Sequence, residues 1–249
     1  SGSGKSITGI EAKNISISGS ASVTADSGFQ APGVQAGGDI DISGNAVVRA
    51  ASTGNSGIHS SGKVEVSGNA QVIASSSSVN SSHSGIYAQT LIITGGSVTA
   101  KGTPRAVGTS LNNANITISG GTLTTGEKNA DPAQGQIAGS LEVNGAEAEV
   151  TVHGNLTGDL TVSAGTVNIN GAIDGNPLLQ GGTLFINGQR VYQVSVTGGE
   201  SDKKIASKDE IVILTADNPS GRKFQEWTIV PAVDFTEGTA KTDATAKFK

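Results

Sequence analysis

One short unit recurs along this chain and governs how it can fold: an apolar residue, a variable one, a second apolar residue, then Ser, Thr or Asn, then Gly. It is spelled Ile15-Ser16-Ile17-Ser18-Gly19, Ile40-Asp41-Ile42-Ser43-Gly44, Val64-Glu65-Val66-Ser67-Gly68, Leu91-Ile92-Ile93-Thr94-Gly95, Ile116-Thr117-Ile118-Ser119-Gly120 and Leu141-Glu142-Val143-Asn144-Gly145. The starts at Ile15, Ile40, Val64, Leu91, Ile116 and Leu141 keep a nearly constant interval. Leu160-Thr161-Val162-Ser163 and Leu184-Phe185-Ile186-Asn187-Gly188 read as further copies of the same unit. A second alternating segment follows each Gly, as in Val23-Thr24-Ala25, Val48-Arg49-Ala50, Val72-Ile73-Ala74 and Val98-Thr99-Ala100. A third precedes the next unit, as in Gly9-Ile10-Glu11-Ala12, Gly33-Val34-Gln35-Ala36, Gly57-Ile58-His59-Ser60 and Gly85-Ile86-Tyr87-Ala88, with weaker echoes at Val107-Gly108 and Ile137-Ala138.

Three short alternating strands per period, with Gly and Ser/Asn turns between them, predict an all-β fold: a right-handed parallel β-helix, a solenoid of about 25 residues per coil. One coil cannot bury its own apolar face, but stacked coils pair each strand with its copy about 4.8 Å away and line up the inward Ile, Val and Leu. A slender interior of this kind has no room for bulky rings, and only 3% of the 249 residues are aromatic while Gly numbers 36. The Gly that closes each unit is expected at a corner with positive φ, since no helix-forming stretch follows it as a phosphate-binding loop would require.

Beyond Gly188 the pattern changes. Longer strands are predicted at Val191–Val196, Glu210–Ala216, Lys223–Val230 and Ala244–Phe248, with a higher density of charge. The predicted organisation is therefore a linker or processed edge over 1–6, the β-helix over 7–188 and a small β-rich domain over 189–249. The C-terminal part resembles a divergent internalin-type B-repeat, through Val194-Ser195-Val196-Thr197-Gly198-Gly199, Lys208–Ala216 and Gly221-Arg222-Lys223-Phe224-Gln225-Glu226-Trp227. That family's closing turn and last strand have no counterpart here. Trp227 is read as a core anchor of this domain in preference to a sugar-stacking platform. The repeats, notably Ile116–Thr124 and Ser84–Ala88, resemble the glycine-rich repeats of secreted Gram-positive surface proteins, including β-helix carbohydrate-binding proteins. In that carbohydrate-binding family an Asp beside the Gly-Ile strand ligates calcium. Pro32, Ser56 and Ser84 stand at those places here, so the resemblance does not carry over a calcium site.

Composition narrows the functional classes. Sixteen basic against 21 acidic residues, net charge −5, with no basic block and few rings to stack bases, argue against nucleic acid. No apolar run is long enough to insert in a membrane. With no Cys, disulfides and thiolate chemistry are excluded. Alternation places Glu11, Gln35, His59 and Tyr87 outward in one ladder, the row that mixes a carboxylate, an amide, an imidazole and a phenol, and this row is the candidate ligand-binding strip. Asp39, Asp41 and Glu65 form a weaker candidate metal trio, suited to calcium by their oxygens, with Lys63 near enough to neutralise them. Catalysis is not expected: Arg49 with Asp41, and Arg105 near Tyr87, are the nearest approximations to a lyase or glycosidase site, and no carboxylate pair faces across a cleft. His59, His83 and His153 fall in separate coils. The expected function is that of a secreted or cell-surface, adhesin-like monomer that binds a polysaccharide or surface glycan without a cofactor. The alternative is a structural stalk that presents other domains, and a polysaccharide lyase or glycoside hydrolase is the more remote reading.

Overall fold

A computed structural model describes residues 9–28, 30–108, 113–217, 223–230 and 234–249; the predicted edge at 1–6 lies outside them. The chain divides into two compact units, one ending at Gly188 and one running over 189–249. The first is a parallel β-solenoid in which every strand pairs with its counterpart one coil away. Its first strand ladder runs Ile15–Ile17, Ile40–Ile42, Lys63–Val66, then Leu91, Ile116, Leu141, Leu160 and Pro177, all in register. A second ladder starts with Ser22–Ser27, Val47–Ser52 and Gln71–Ser76 and continues through Ser97, Thr122, Glu149, Thr166 and Thr183. The third stacks Ile10–Ala12, Val34–Ala36, Ile58–Ser60 and Ile86–Tyr87. It then thins to single parallel bridges at Val107, Ile137, Leu156 and Ile173.

Alternation decides burial. Ile40, Val64, Leu91 and Leu160 are fully buried, as are Ile42, Val66, Ile93 and Val162 on the same inward rows. Asp41, which separates Ile40 from Ile42, is exposed. Inward Ser27, Ser52 and Ser76 end the second strands and are buried polar groups. Ser52 and Ser76 meet the cost of burial by donating to backbone carbonyls of Ala31 and Asn55 at 2.8 and 2.6 Å. The glycines that close the first three units have φ of 67°, 70° and 67° at Gly19, Gly44 and Gly68. A side chain at Gly44 would also meet the Gly19 backbone, so the corner demands Gly twice over.

One repeat assignment is corrected. Leu184-Phe185-Ile186 does not continue the first ladder; Leu184 pairs with Val167 in the second, and Pro177–Leu179 supplies the first-ladder rung. The coil contracts here, as the close pairings Leu160 to Pro177 and Thr166 to Thr183 show. The cause is at the corners. Residues 126–136 lie between Thr125 and the bridging Ile137, whereas only 153–155 separate Val152 from Leu156 and 170–172 separate Ile169 from Ile173.

In the second unit Gly199–Ser201, Val212–Ala216 and Thr245–Phe248 form an antiparallel sheet, and Gln189–Gln193 pairs antiparallel with Ile205–Ser207. The short strands Gly199–Ser201 and Ile205–Ser207 leave no periodic signal because each is too brief to show alternation. Lys223–Val230, expected as a strand, has no assigned strand structure; its Trp227 amide bonds the Lys241 carbonyl at 2.8 Å. Trp227 is only 8% exposed and packs with Ala206, Val212, Leu214 and Ala246, its indole N–H donating to the Asp243 carbonyl at 3.0 Å.

Two outcomes test this architecture. Val66→Asp places a carboxylate between Ile42 and Ile93 in a dry row and should cost several kcal/mol, whereas Glu65→Ala should cost about 0.5 kcal/mol or less, the worth of its ion pair with Lys63. Equal shifts of the urea midpoint would contradict the register. In the second unit Lys203, then the Ser207 amide and hydroxyl, hold the Glu210 carboxyl down at about 2. A depressed carboxyl supports the fold above its unfolded value near 4.5, and that support is lost as pH falls through about 2. Acid titration followed by Trp227 fluorescence should therefore shift in Glu210→Gln relative to the parent protein.

Candidate functional site

The third ladder places Glu11, Gln35, His59 and Tyr87 side by side: Glu11 pairs with Gln35, Gln35 with His59 and His59 with Tyr87. They project outward because Ile10, Val34, Ile58 and Ile86, one residue earlier on each strand, take the inward position, and the last three are at most 1% exposed. Glu11 is exposed, while Gln35, His59 and Tyr87 are half-buried. The backbone register brings the rings of His59 and Tyr87 into a stack with centroids 4.3 Å apart and planes 10° from parallel. The row therefore grades from a solvated carboxylate through an amide to a packed pair of rings.

His83, which the sequence sets apart in its own coil, belongs beside this row. It lies on the 77–85 connection, the longer corner of the coil between Val64 and Leu91, and it acts electrostatically on His59. Tyr87, not His83, takes the register of His59 one coil on, so the repeat carries no signal that places His83 here. His83 Nδ1 is 2.9 Å from the Ser78 hydroxyl, and its ring also bonds the Gly54 backbone on the adjacent corner. Ser78 is 5% exposed and its oxygen also accepts the Asn80 amide at 3.2 Å. The Ser–His pair is thus a clasp within the loop, and a buried, doubly bonded hydroxyl is poorly placed to attack a substrate. The Arg105 guanidinium donates to the Ser81 carbonyl at 3.0 Å.

The acidic trio is held by other means. Lys63 Nζ sits 2.5 Å from Glu65 and 3.4 Å from Asp41, and these two carboxylates, with the Glu65 hydrogen bond foremost, raise the lysine's pKa. Asp39 turns its carboxylate to the Lys63 amide at 2.9 Å, so it serves the corner backbone. Among the described residues no three His, Asp or Glu side chains converge as metal ligands. His153 bonds Asn170 at 3.0 Å on a different coil, away from the strip. Within the second unit a cleft of about 1040 Å³ is lined by Val194, Val196, Leu214, Phe224, Trp227 and Phe248 among others. Two carboxylates of its lining are engaged, Glu210 with Lys203 at 2.9 Å and Glu226 with Lys241 at 2.8 Å.

Burial first, and His83 second, hold His59 below the ordinary imidazole value of 6.5. Burial likewise lowers His83, against the opposing pull of its Gly54 bond. Both rings take up a proton less readily folded than unfolded, so the stability they support is complete above pH 6.5 and is lost as pH falls through their lower folded values. The melting temperature should drop between pH 7.5 and pH 5.0, and the drop should be smaller in a His59→Gln/His83→Gln double variant, measured by circular dichroism. An unchanged drop in the variant would place the acid sensitivity elsewhere.

No family model, no curated protein and no solved structure matches this chain.

Proposed function

We propose that the solenoid is a non-catalytic, adhesin-like module of a secreted or cell-surface protein, and that it binds an extended polysaccharide or surface glycan along the Glu11–Gln35–His59–Tyr87 row. The observation that carries this reading is the His59–Tyr87 ring stack continuing an in-register row of amide and carboxylate. Rings supply apolar contact to a sugar face, while Gln35 and Glu11 offer hydrogen-bonding groups to its hydroxyls. These groups repeat along the coil axis at strand spacing, an arrangement suited to a polymer laid across successive strands. Single contacts of this kind are weak, so retention depends on many copies engaging one chain.

A second reading is a rigid stalk that displays other domains. It is favoured by the unbroken pairing of the first and second ladders from the first coil to the last. Catalysis has less support than either, since the neighbouring carboxylates Asp41 and Glu65 are bridged by Lys63.

The test is retention of the protein, displayed multivalently on beads, by an array of plant, host and microbial polysaccharides. Binding to at least one polymer is expected. Tyr87→Ala should reduce that retention about tenfold, the loss of roughly 1.4 kcal/mol of ring contact, whereas Glu142→Ala on the first ladder should leave it unchanged. Failure of every polysaccharide supports the stalk. Retention that survives loss of both Tyr87 and His59 assigns binding to another face.

A further inference from the structure

The corner at 77–85 and the rung that follows it hold two polar groups that find no partner among the described residues. Ser84 is 0% exposed, and its hydroxyl bonds nothing in the protein. Its counterpart one coil earlier, Ser56, is equally buried, but the Ser56 oxygen accepts the Ser84 amide at 3.2 Å. Arg105 takes the same place one coil on, as the Gly85 amide donating to the Arg105 carbonyl at 3.2 Å and the Ile86–Val107 bridge show. The Arg105 amide does not repeat the serine bond, and Ser84 Oγ stays unpartnered. The second group is Arg105 Nε, which solvent does not reach and which also bonds nothing. Nη1 of the same guanidinium donates to the Ser81 carbonyl at 3.0 Å, so the charged head is drawn over the corner that contains Ser84.

The chain itself makes this level different. The inward hydroxyls of Ser52 and Ser76 donate to corner carbonyls, and the next member of their row is Gly102. A side chain there is excluded, because its Cβ would collide with the Arg105 carbonyl oxygen and the Gly85 nitrogen. Arg105 instead brings a permanent positive charge, and no carboxylate answers it. Residues 53–57, 77–85 and 102–108 contain no Asp or Glu. On the following corner Glu127 is paired with Lys101, and Asp131 accepts the Ala133 amide at 2.9 Å. Among the described residues Arg105 has no ion pair. A buried donor without an acceptor is costly, and more so when it is charged. The guanidinium can only donate, and the serine hydroxyl can donate as well. One acceptor between them satisfies both, and an anion also meets the charge, which water does not.

We propose that Arg105 Nε and the Ser84 hydroxyl hold a small monovalent anion of halide size, which closes the 77–85 corner onto the rung at Arg105. The class of ligand follows from the donors and the space. Two N–H and O–H donors suit a monatomic anion, whereas a sulfate or phosphate needs several donors and room that the backbone contacts of Gly85 and Gly102 deny. Among halides, fluoride holds its water too tightly to enter a buried site, and chloride and bromide give theirs up at lower cost. The site does not depend on the polysaccharide row: Ser84 is buried inside the corner, while Glu11, Gln35, His59 and Tyr87 project outward.

The experiment is an NMR titration of the full chain at pH 7.5 with sodium bromide, exchanged against sodium fluoride so that ionic strength stays constant. The Arg105 Nε–H and the Ser84 and Gly85 amides should shift along one saturable curve, and the melting temperature should rise over the same range. Ser84→Ala should weaken the apparent affinity about tenfold, the loss of one hydrogen bond to a charged group. Arg105→Gln should abolish the saturable response, and Arg49→Gln, at an exposed position on the second ladder, should leave it intact. Shifts that grow in proportion to bromide without saturating overturn the site, as does a saturable response that survives in Arg105→Gln. A water that stays in contact with Ser84 throughout the titration gives both donors to water and overturns it too. If Arg105→Gln does not fold, the Ser84→Ala titration decides: a tenfold loss supports the site and an undiminished affinity overturns it.

Discussion

Every coil of this solenoid is completed by its neighbours, because a short strand has no partner within its own coil. Backbone N–H and C=O groups on each ladder are satisfied one coil along, as Asn45 N to Gly19 O at 2.7 Å and Asn69 N to Gly44 O at 2.7 Å illustrate at the corners. This single requirement accounts for the rest. Side chains must stack in register, inward rows must be uniformly apolar or self-satisfied, and corners must repeat their geometry. The same requirement gives polar corner residues their work: the Asn14 and Asp39 carbonyl and carboxylate oxygens accept the amides of Asp39 and Lys63.

The repeat makes most of this legible in the sequence. Alternation names the inward residues from Ile15 to Val162 and places Glu11, Gln35, His59 and Tyr87 on one row, because strand pairing between identical units fixes register without further information. Legibility fails where the repeat length changes. Val167-Asn168-Ile169-Asn170-Gly171 and Leu184-Phe185-Ile186-Asn187-Gly188 share their polar close and are one contracted coil apart, but the longer spacing of the earlier coils assigns Leu184 to the wrong ladder. His83 escapes for a related reason. It sits in an insertion, and insertions carry no register.

The second unit is less legible. Its strand pairings are antiparallel, and partners come from distant positions: Val212 pairs with Phe248 and Gly199 with Ala216. No internal copy reveals such pairings. The segment 223–230 has strand-like composition, yet Trp227 and Phe224 serve as packing against Leu214 and Ala246 instead of as members of a ladder. Composition reports that a residue wants burial, and only the tertiary arrangement decides by which backbone geometry it is achieved.

The His59–Tyr87 stack has one more consequence. The backbone sets the pitch of this row at about 4.8 Å, and the side chains depart from it only locally, as the 4.3 Å stack of His59 and Tyr87 does. The row is in effect a ruler with fixed graduations. A polymer whose own repeat differs from that pitch by about half an ångström drifts out of step by about 1.5 Å over the three spacings between four strands. Its sugars would then meet the gaps between side chains instead of the side chains themselves. Selection among chemically similar chains can thus arise from commensurability, a property of the scaffold's period that no one residue on the row determines.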